Sequence, residues 1–541
     1  MHKKFTYLFL LLVTVADIVS AQQKVDTTKP APGAMKHLQI MHADRSSFAK
    51  GDSTQYMTLA GTVEVWQEKT KFYADSAVLN QKLNILEAFG RVHINDADSV
   101  HTYSDYLRYL GKEKKAYLNR NVRLTDGKAI LTTDELEYDL NTKIGTYLKG
   151  GKVVNGKTVL TSKEGYYYGD TRDVFFKKNV ILKDPGFDIT TDTLQYNTYT
   201  DVTTFVSPTK ILTNGRKIKT RDGWYNLKTK KAYFGSNSVI EDSSATIRSK
   251  DMAFDDSTGK AEFKGDVVYK SKDTAKGYDL IANHLETDSK KGSYRATQNP
   301  ILLIKQGLDS IFVRADTLYS ARLSDLVKER TVPSIRDSIT GKLLQANKKD
   351  TANDKFFEAY SHVRIFSDST QAIGDSLFYS PKDSAFRLFK NPVVWGQENQ
   401  LTGDTIYLYL QNNKPQKARV FENAMAISNA GLDYYNQVAG KTMNAFFVDG
   451  KISYLRTKGS PAESVYYGLD DFGKFFGVNK ATSDVIDMYF IDGKPQRVVF
   501  RNKLEGTTYP MGQVDHKELR LRGFKWLDDK RPKSKFEILS N

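Results

Sequence analysis

The sequence has 541 residues, a formal net charge of +16, 40% hydrophobic and 27% charged residues, and no cysteine. That balance excludes a disordered chain and a disulfide-stapled fold, so burial and strand pairing must supply the stability. With 31 Tyr, 29 Phe and only 13 Pro the composition favours pleated, half-buried strands, and the cationic surplus asks for an acidic partner.

The first element is an export signal. Lys3 and Lys4 precede an apolar run from Phe5 to Ala16, and Val19-Ser20-Ala21 supplies a small-residue cleavage pattern. Residues 1–21 are therefore expected to be a signal peptide, with Gln22 opening a flexible mature N-terminus over 22–35. An uncleaved anchor is the alternative, but Asp17 interrupts the run well short of the ~20 residues a span needs. No later stretch approaches that length. Export makes DNA an improbable partner and leaves anionic glycolipid, polysaccharide or a membrane surface.

From residue 36 onward the chain repeats. Asp105, Asp134, Lys163, Asp192, Arg221 and Lys250 follow one another at 29-residue intervals, and an aromatic stands four residues after each: Tyr109, Tyr138, Tyr167, Tyr196, Tyr225, Phe254. Asp44 and Asp75 extend the register upstream; Asn283, Asp316, Asp375 and Asp404 extend it downstream with wider gaps. Two looser units end in Asp449-Gly450-Lys451 and Asp492-Gly493-Lys494. The total is roughly thirteen units.

Each unit carries a second piece, a Gly or Asn expected to turn the chain, followed by a short apolar strand. Gly61-Thr62-Val63, Gly90-Arg91-Val92, Asn121-Val122, Asn179-Val180 and Gly265-Asp266-Val267 are examples. In Asp134-Glu135-Leu136-Glu137-Tyr138 the apolar and charged residues alternate, the period-2 mark of a strand with one buried face. A strand-turn-strand unit of this size cannot bury that face alone, so stacked neighbours must complete the core.

Two regions break the pattern. Residues 321–355 are rich in Lys, Arg, Asp and Ser and read as a charged loop inserted between repeats over 36–320 and 356–506. Residues 507–541 are basic and form a cap or a tail, with Leu519, Leu521, Phe524 and Trp526 favouring a cap for the first half. No C-terminal run of long membrane-barrel strands with aromatic girdles is apparent.

The chemistry of an enzyme is not legible. The eight His are scattered, without metal-ligand spacing, nucleophile elbow or phosphate loop. Asp96, Asp98 and His101 could in principle hold a metal, but they read better as a polar turn. A calcium ladder along the recurring Asp positions conflicts with Lys163, Arg221 and Lys250 in the same register, so hydrogen bonding at strand ends is the better account. No catalytic residue, metal or cofactor is assigned. The recurring aromatics read either as core or as the wall of an acyl-chain groove.

Units of the form T-D-x-L-x-Y followed by A-x-x-x-G-N-V-x-L resemble the OstA/LptA repeat of lipopolysaccharide-transport proteins. Thr133-Asp134-Glu135-Leu136-Glu137-Tyr138 and Thr191-Asp192-Thr193-Leu194-Gln195-Tyr196 carry the first half; Ala116 with Asn121-Val122-Arg123-Leu124 and Ala88 with Gly90-Arg91-Val92-His93-Ile94 carry the second. The resemblance implies an all-β fold, an elongated open β-jellyroll whose apolar interior shields lipid acyl chains. The residues it would turn to the lipid are Leu107, Tyr109, Val122, Leu124, Leu136, Tyr138, Val180, Leu182, Leu194, Tyr196, Met252 and Phe254.

The implied role is periplasmic lipopolysaccharide binding and transport, bridging inner and outer membranes. The implied partners are an inner-membrane LptC-like anchor, an outer-membrane LptD-like translocon and further copies of the chain, joined through edge strands, with no nucleic acid. The chain departs from short bridge proteins in its length and charged insertion. Two other readings stand beside this one. A structural or adhesive β-stack would have a closed core without lipid, and a carbohydrate-active enzyme would need paired carboxylates in a cleft.

Overall fold

The computed structural model describes residues 37–540, apart from 51–54, 214, 276, 307–308, 338–340, 346–348, 350–353, 412–413 and 471. The expected signal peptide and the mature N-terminus over 22–35 lie outside the described residues. Among the described residues the chain is all-β: forty strands, paired antiparallel in one hydrogen-bonded sheet, with α-helix confined to Leu323–Glu329 and Lys535–Leu539. Contacts divide it into two units, residues 1–127 with 135–142, and 128–134 with 143–541.

In the first unit the strands are long and bent. Strand Ile85–Asp96 pairs through residues 85–89 with 106–110 and through 92–96 with 100–104, and its register slips between Phe89 and Val92. Gly90 and Arg91 at the slip have φ of 70° and 41°. This is a β-bulge corner, where a left-handed pair of residues kinks a strand without reversing it. Gly61 with Thr62 and Arg120 with Asn121 repeat it. The Gly and Asn positions expected to be turns are therefore corners inside continuous strands; the true reversals lie between strands.

Each corner sends half a strand into one wall and half into another. Wall one holds residues 63–67, 70–74, 92–96, 100–104 and 122–125; wall two holds 55–60, 76–80, 85–89, 106–110 and 115–119. The walls face each other. The rings of Phe72 and Tyr109 lie 4.5 Å apart across the gap, the Tyr109 hydroxyl donates to Gln67 Oε1 at 2.7 Å, and the Tyr138 hydroxyl donates to Asp96 Oδ2 at 3.1 Å.

The second unit follows the same plan, with corners at Lys178-Asn179, Gly265-Asp266, Ser361-His362 and Glu422-Asn423. Phe187 and Tyr225 stack across its walls at 4.2 Å. Its last strands are the longest: Lys414–Gly431, Tyr434–Val448, Lys451–Leu469 and Phe475–Ile491 have 18, 15, 19 and 17 residues. Each bends at a bulge, as between Phe421 and Ala424, so its alternation changes phase midway.

The charged segment over 321–355 contains the helix Leu323–Glu329. Leu323, Leu326 and Ile335 pack on Phe356 and Phe378. The fully buried ion pair of Asp383 and Arg387 ties the segment down, Arg387 donating to Ser334 O at 3.0 Å and Asp383 Oδ2 accepting from Arg336 N at 3.1 Å. At the C-terminus, residues 519–540 run back along the outer face of wall one. Leu519 and Leu521 are buried against Ile427, Val465 and Val478, and Ile538 against Ile301 and Phe366.

Three buried glutamines on that face hold the tail. Gln437 Oε1 accepts from Leu521 N at 2.8 Å, and Gln371 Oε1 accepts from Arg531 Nε at 2.8 Å. Gln400 accepts from Leu527 N and donates to Lys525 O, both at 2.7 Å.

Candidate lipid-binding cavity

The residues expected to face lipid all point between the walls. Leu107, Tyr109, Val122, Leu124, Leu136 and Tyr138 in the first unit are buried, as are Val180, Leu182, Leu194, Tyr196 and Met252 in the second unit. Phe254 alone is half-buried. Around the others the interior is filled: Tyr196, for instance, shares its hydroxyl with Asn155 Nδ2 at 2.7 Å and Asp201 Oδ1 at 3.1 Å. Burial and these bonds make the tyrosines packing elements whose phenols stay neutral, since burial pushes the Tyr196 hydroxyl upward.

The interior opens further along the second unit. A cavity of about 310 Å³ lies between wall one (Tyr269, Tyr278, Leu280, Leu302, Ile304) and wall two (Tyr294, Ala296, Leu318, Phe357, Tyr379). Beside Phe254 a more open, mixed cleft of about 580 Å³ is lined by Ala261 and Thr287 together with outward-facing Glu262, Glu286 and Arg295. The walls part for a reason written in the repeat. The position four residues after the register residue, aromatic from Tyr109 through Phe254, is Thr287 and then Ser320 in the next two units, and becomes Tyr379 in the unit after. Thr287 lines the cleft and Ser320 the cavity. Two missing rings in successive layers leave space that close-packed neighbours do not reclaim.

The cavity wall is apolar and aromatic. Tyr269 and Tyr278 stack at 5.3 Å, with Tyr294 edge-on to Tyr269 at 6.4 Å. Burial raises the hydroxyls of Tyr269, Tyr278, Tyr294 and Tyr379 above the ordinary phenol range, so the lining stays uncharged. Charge sits beside it. Lys355 is at the lining. An apolar slot with a cation at its edge suits an acyl chain whose head carries negative charge.

The sequence reading named Met252 and Phe254 next to this region and missed Tyr278, Tyr294, Leu302, Leu318 and Phe357. The signal for them was the loss of the aromatic at Thr287 and Ser320. Asp96, Asp98 and His101 do not converge: Asp96 accepts from Thr70 and Tyr138, Asp98 from Asn95, and His101 meets His93 at 3.1 Å. Glu262, His284 and Glu286 do come together, but Glu262 is already bridged to Lys264 at 2.8 Å and to His284 at 2.9 Å.

Compared with known proteins, residues 35–192 and 188–250 match the family described as OstA-like protein. No curated protein matches the chain.

Proposed function

From the premise that residues 35–250 are OstA-like, we propose that this chain binds and conveys an anionic glycolipid, lipopolysaccharide in the first instance, holding its acyl chains between the two walls. The observation that carries the reading is the apolar cavity at Ser320, a gap in an otherwise ring-filled interior. It lies outside the matched residues but is built from the same corner-and-wall repeat. No reaction is assigned to it.

A conduit must pass cargo on, and strand edges supply the means. In the first unit Gln39–His42 and Arg45–Lys50 pair, among the described residues, only with strand Gln55–Gln67. In the second unit Lys494–Arg501 and Glu505–Pro510 pair only with Phe475–Ile491. Such edges accept a further strand. The partners of this proposal are a membrane-anchored protein and an outer-membrane assembly protein of similar repeat type, or further copies of the chain, with the periplasm as the compartment.

The test is photocrosslinking in cells from a light-activated residue at Leu318, with exposed Lys228 as the outward control. Adducts with glycolipid at Leu318 but not at Lys228 support the conduit. Adducts at neither, in folded and exported protein, reject it in favour of a closed structural stack.

A further inference from the structure

The outer face of wall one in the second unit has a covered part and a bare part. Ladder pairing runs one row of side chains across it: Ile181, Thr190, Lys210, Lys219, Val239, Arg248, Val268, Ile281, Ile301, Arg314 and Arg364 lie opposite one another in turn. Two directly opposed cations occur in this row, and like charges so placed repel. At Arg314 and Arg364 the chain answers its own repulsion. Glu537 of the tail lies 3.5 Å from Arg364, Arg314 donates to the Ile538 and Ser540 carbonyls, and Ile538 covers Ile301.

Among the described residues no tail or side-chain bridge meets Lys210 or Lys219, though Glu241 of the next row attracts Lys219. Both are exposed, as is Arg248 two strands on, and the stretch from Ile181 to Ile281 contains no carboxylate. The neighbouring row is mixed, holding Lys183, Asp188, Lys217, Glu241, Lys270 and Asp279; its Glu241 is taken by Lys272 at 3.0 Å and its Asp279 by Lys305 at 2.7 Å. Between the cations stand aliphatic side chains in the open, with Ile181 42%, Val268 37% and Ile281 43% exposed.

We propose that this bare part of wall one docks on the surface of a bilayer bearing anionic headgroups. The cations would meet lipid phosphates, and the exposed aliphatics would sit at the headgroup boundary. A bilayer fits better than a single bound anion because Lys152, in the same row beyond Ile181, lies four ladder steps from Lys210, on the order of 20 Å at ~4.8 Å per strand. Charges spread this way contact several headgroups, each worth a modest attraction that salt screens. The surface is separate from the cavity and does not depend on the proposed cargo.

The test is co-sedimentation of the full chain with vesicles free of glycolipid. Phosphatidylcholine vesicles containing about one-third phosphatidylglycerol are compared with pure phosphatidylcholine. Binding to the anionic vesicles only is expected, falling at least ~10-fold in the triple variant Lys210→Glu, Lys219→Glu, Arg248→Glu. A control triple of exposed lysines elsewhere (Lys228→Glu, Lys291→Glu, Lys503→Glu) should bind nearly as the native chain does. Equal binding to both vesicles, no binding to either, or equal loss in the two triples overturns the proposal. Should the first triple fold poorly, Lys210→Gln with Lys219→Gln relieves the repulsion and must still weaken binding. A Ser320→Phe chain should bind vesicles as native does, which separates this proposal from the cavity.

Discussion

Lys250 Nζ stands 2.8 Å from Asp266 Oδ2 at a corner of the second unit, and Arg91 stands 2.6 Å from Asp75 Oδ1 at a corner of the first, with the charges exchanged. At these corners the register position that alternates between acid and base along the sequence is one half of a side-chain bridge across the bulge. Asp105 accepts from Asn121 at 2.6 Å, Asp44 from Thr62 at 2.7 Å, and Asp404 from Asn423 at 3.0 Å in the same way. A calcium ladder is thus unnecessary. What must be kept at a corner is complementarity, not a particular sign.

Exchanging the charges tests this directly. Lys250→Asp alone should lower the melting temperature by setting two carboxylates together, and adding Asp266→Lys should restore most of the loss. Both groups are solvent-exposed, so the effect should shrink in high salt. Thermal melts of the native chain, the single and the double variant decide it.

Gly61 should be intolerant of a side chain. Its φ is +76°, and a Cβ there would lie 2.1 Å from Asp44 Oδ2. Gly61→Ala is expected to cost about 1–3 kcal/mol, from left-handed backbone strain plus displacement of the bridging carboxylate. Combining it with Asp44→Ala removes the clash but not the strain, so urea titrations should show only partial recovery.

Filling the cavity should separate binding from folding. Ser320→Phe restores the ring that the repeat places at the equivalent position of other units. If lipid enters here, affinity for a fluorescent acyl-chain probe should fall at least ~10-fold, equivalent to about 1.4 kcal/mol, while stability is held or raised. Unchanged probe affinity in a folded variant would place the lipid elsewhere.

The tail should loosen when its clamp is cut. Gln400→Leu leaves Leu527 N and Lys525 O without their partner on a buried face. The expected cost is about 1–3 kcal/mol, with faster limited proteolysis between Leu519 and Arg531. Equal cleavage rates in native and variant protein would show that apolar packing of Leu519, Leu521 and Ile538 suffices.

Asp487 links stability to acid. Its fully buried carboxylate accepts from Arg456 at 2.7 and 2.9 Å, from Arg501 at 2.7 Å and from Tyr454 at 2.7 Å, and Arg456 above all holds it far below the usual carboxylate range. A depressed folded pKa gives stabilisation that is complete above the unfolded value of ~3.9 and is lost as pH falls toward the folded one. Asp487→Asn should therefore cost about 2–4 kcal/mol at pH 7, and the gap to native should narrow progressively below about pH 4. Denaturant midpoints measured across that range check the sign.

The sequence by itself determined the all-β class, the 29-residue register and the inward direction of its apolar positions. Alternation is local: Leu136 and Tyr138 must share a face whatever the strand pairs with, and both lie between the walls. It also carried the argument against a metal ladder, since Lys163 and Lys250 in an Asp register are visible without coordinates.

Only the tertiary structure decided what the Gly and Asn positions do, because a bulge and a turn use the same left-handed residues and differ in where the next strand goes. It also decided where the interior is empty. Ser320 is an ordinary polar residue in sequence; it matters because stacking sets it in the cavity with the aromatic wall of Tyr269 and Tyr278. The tail's path was hidden for the same reason: Gln371, Gln400 and Gln437 align only when successive strands of wall one lie side by side.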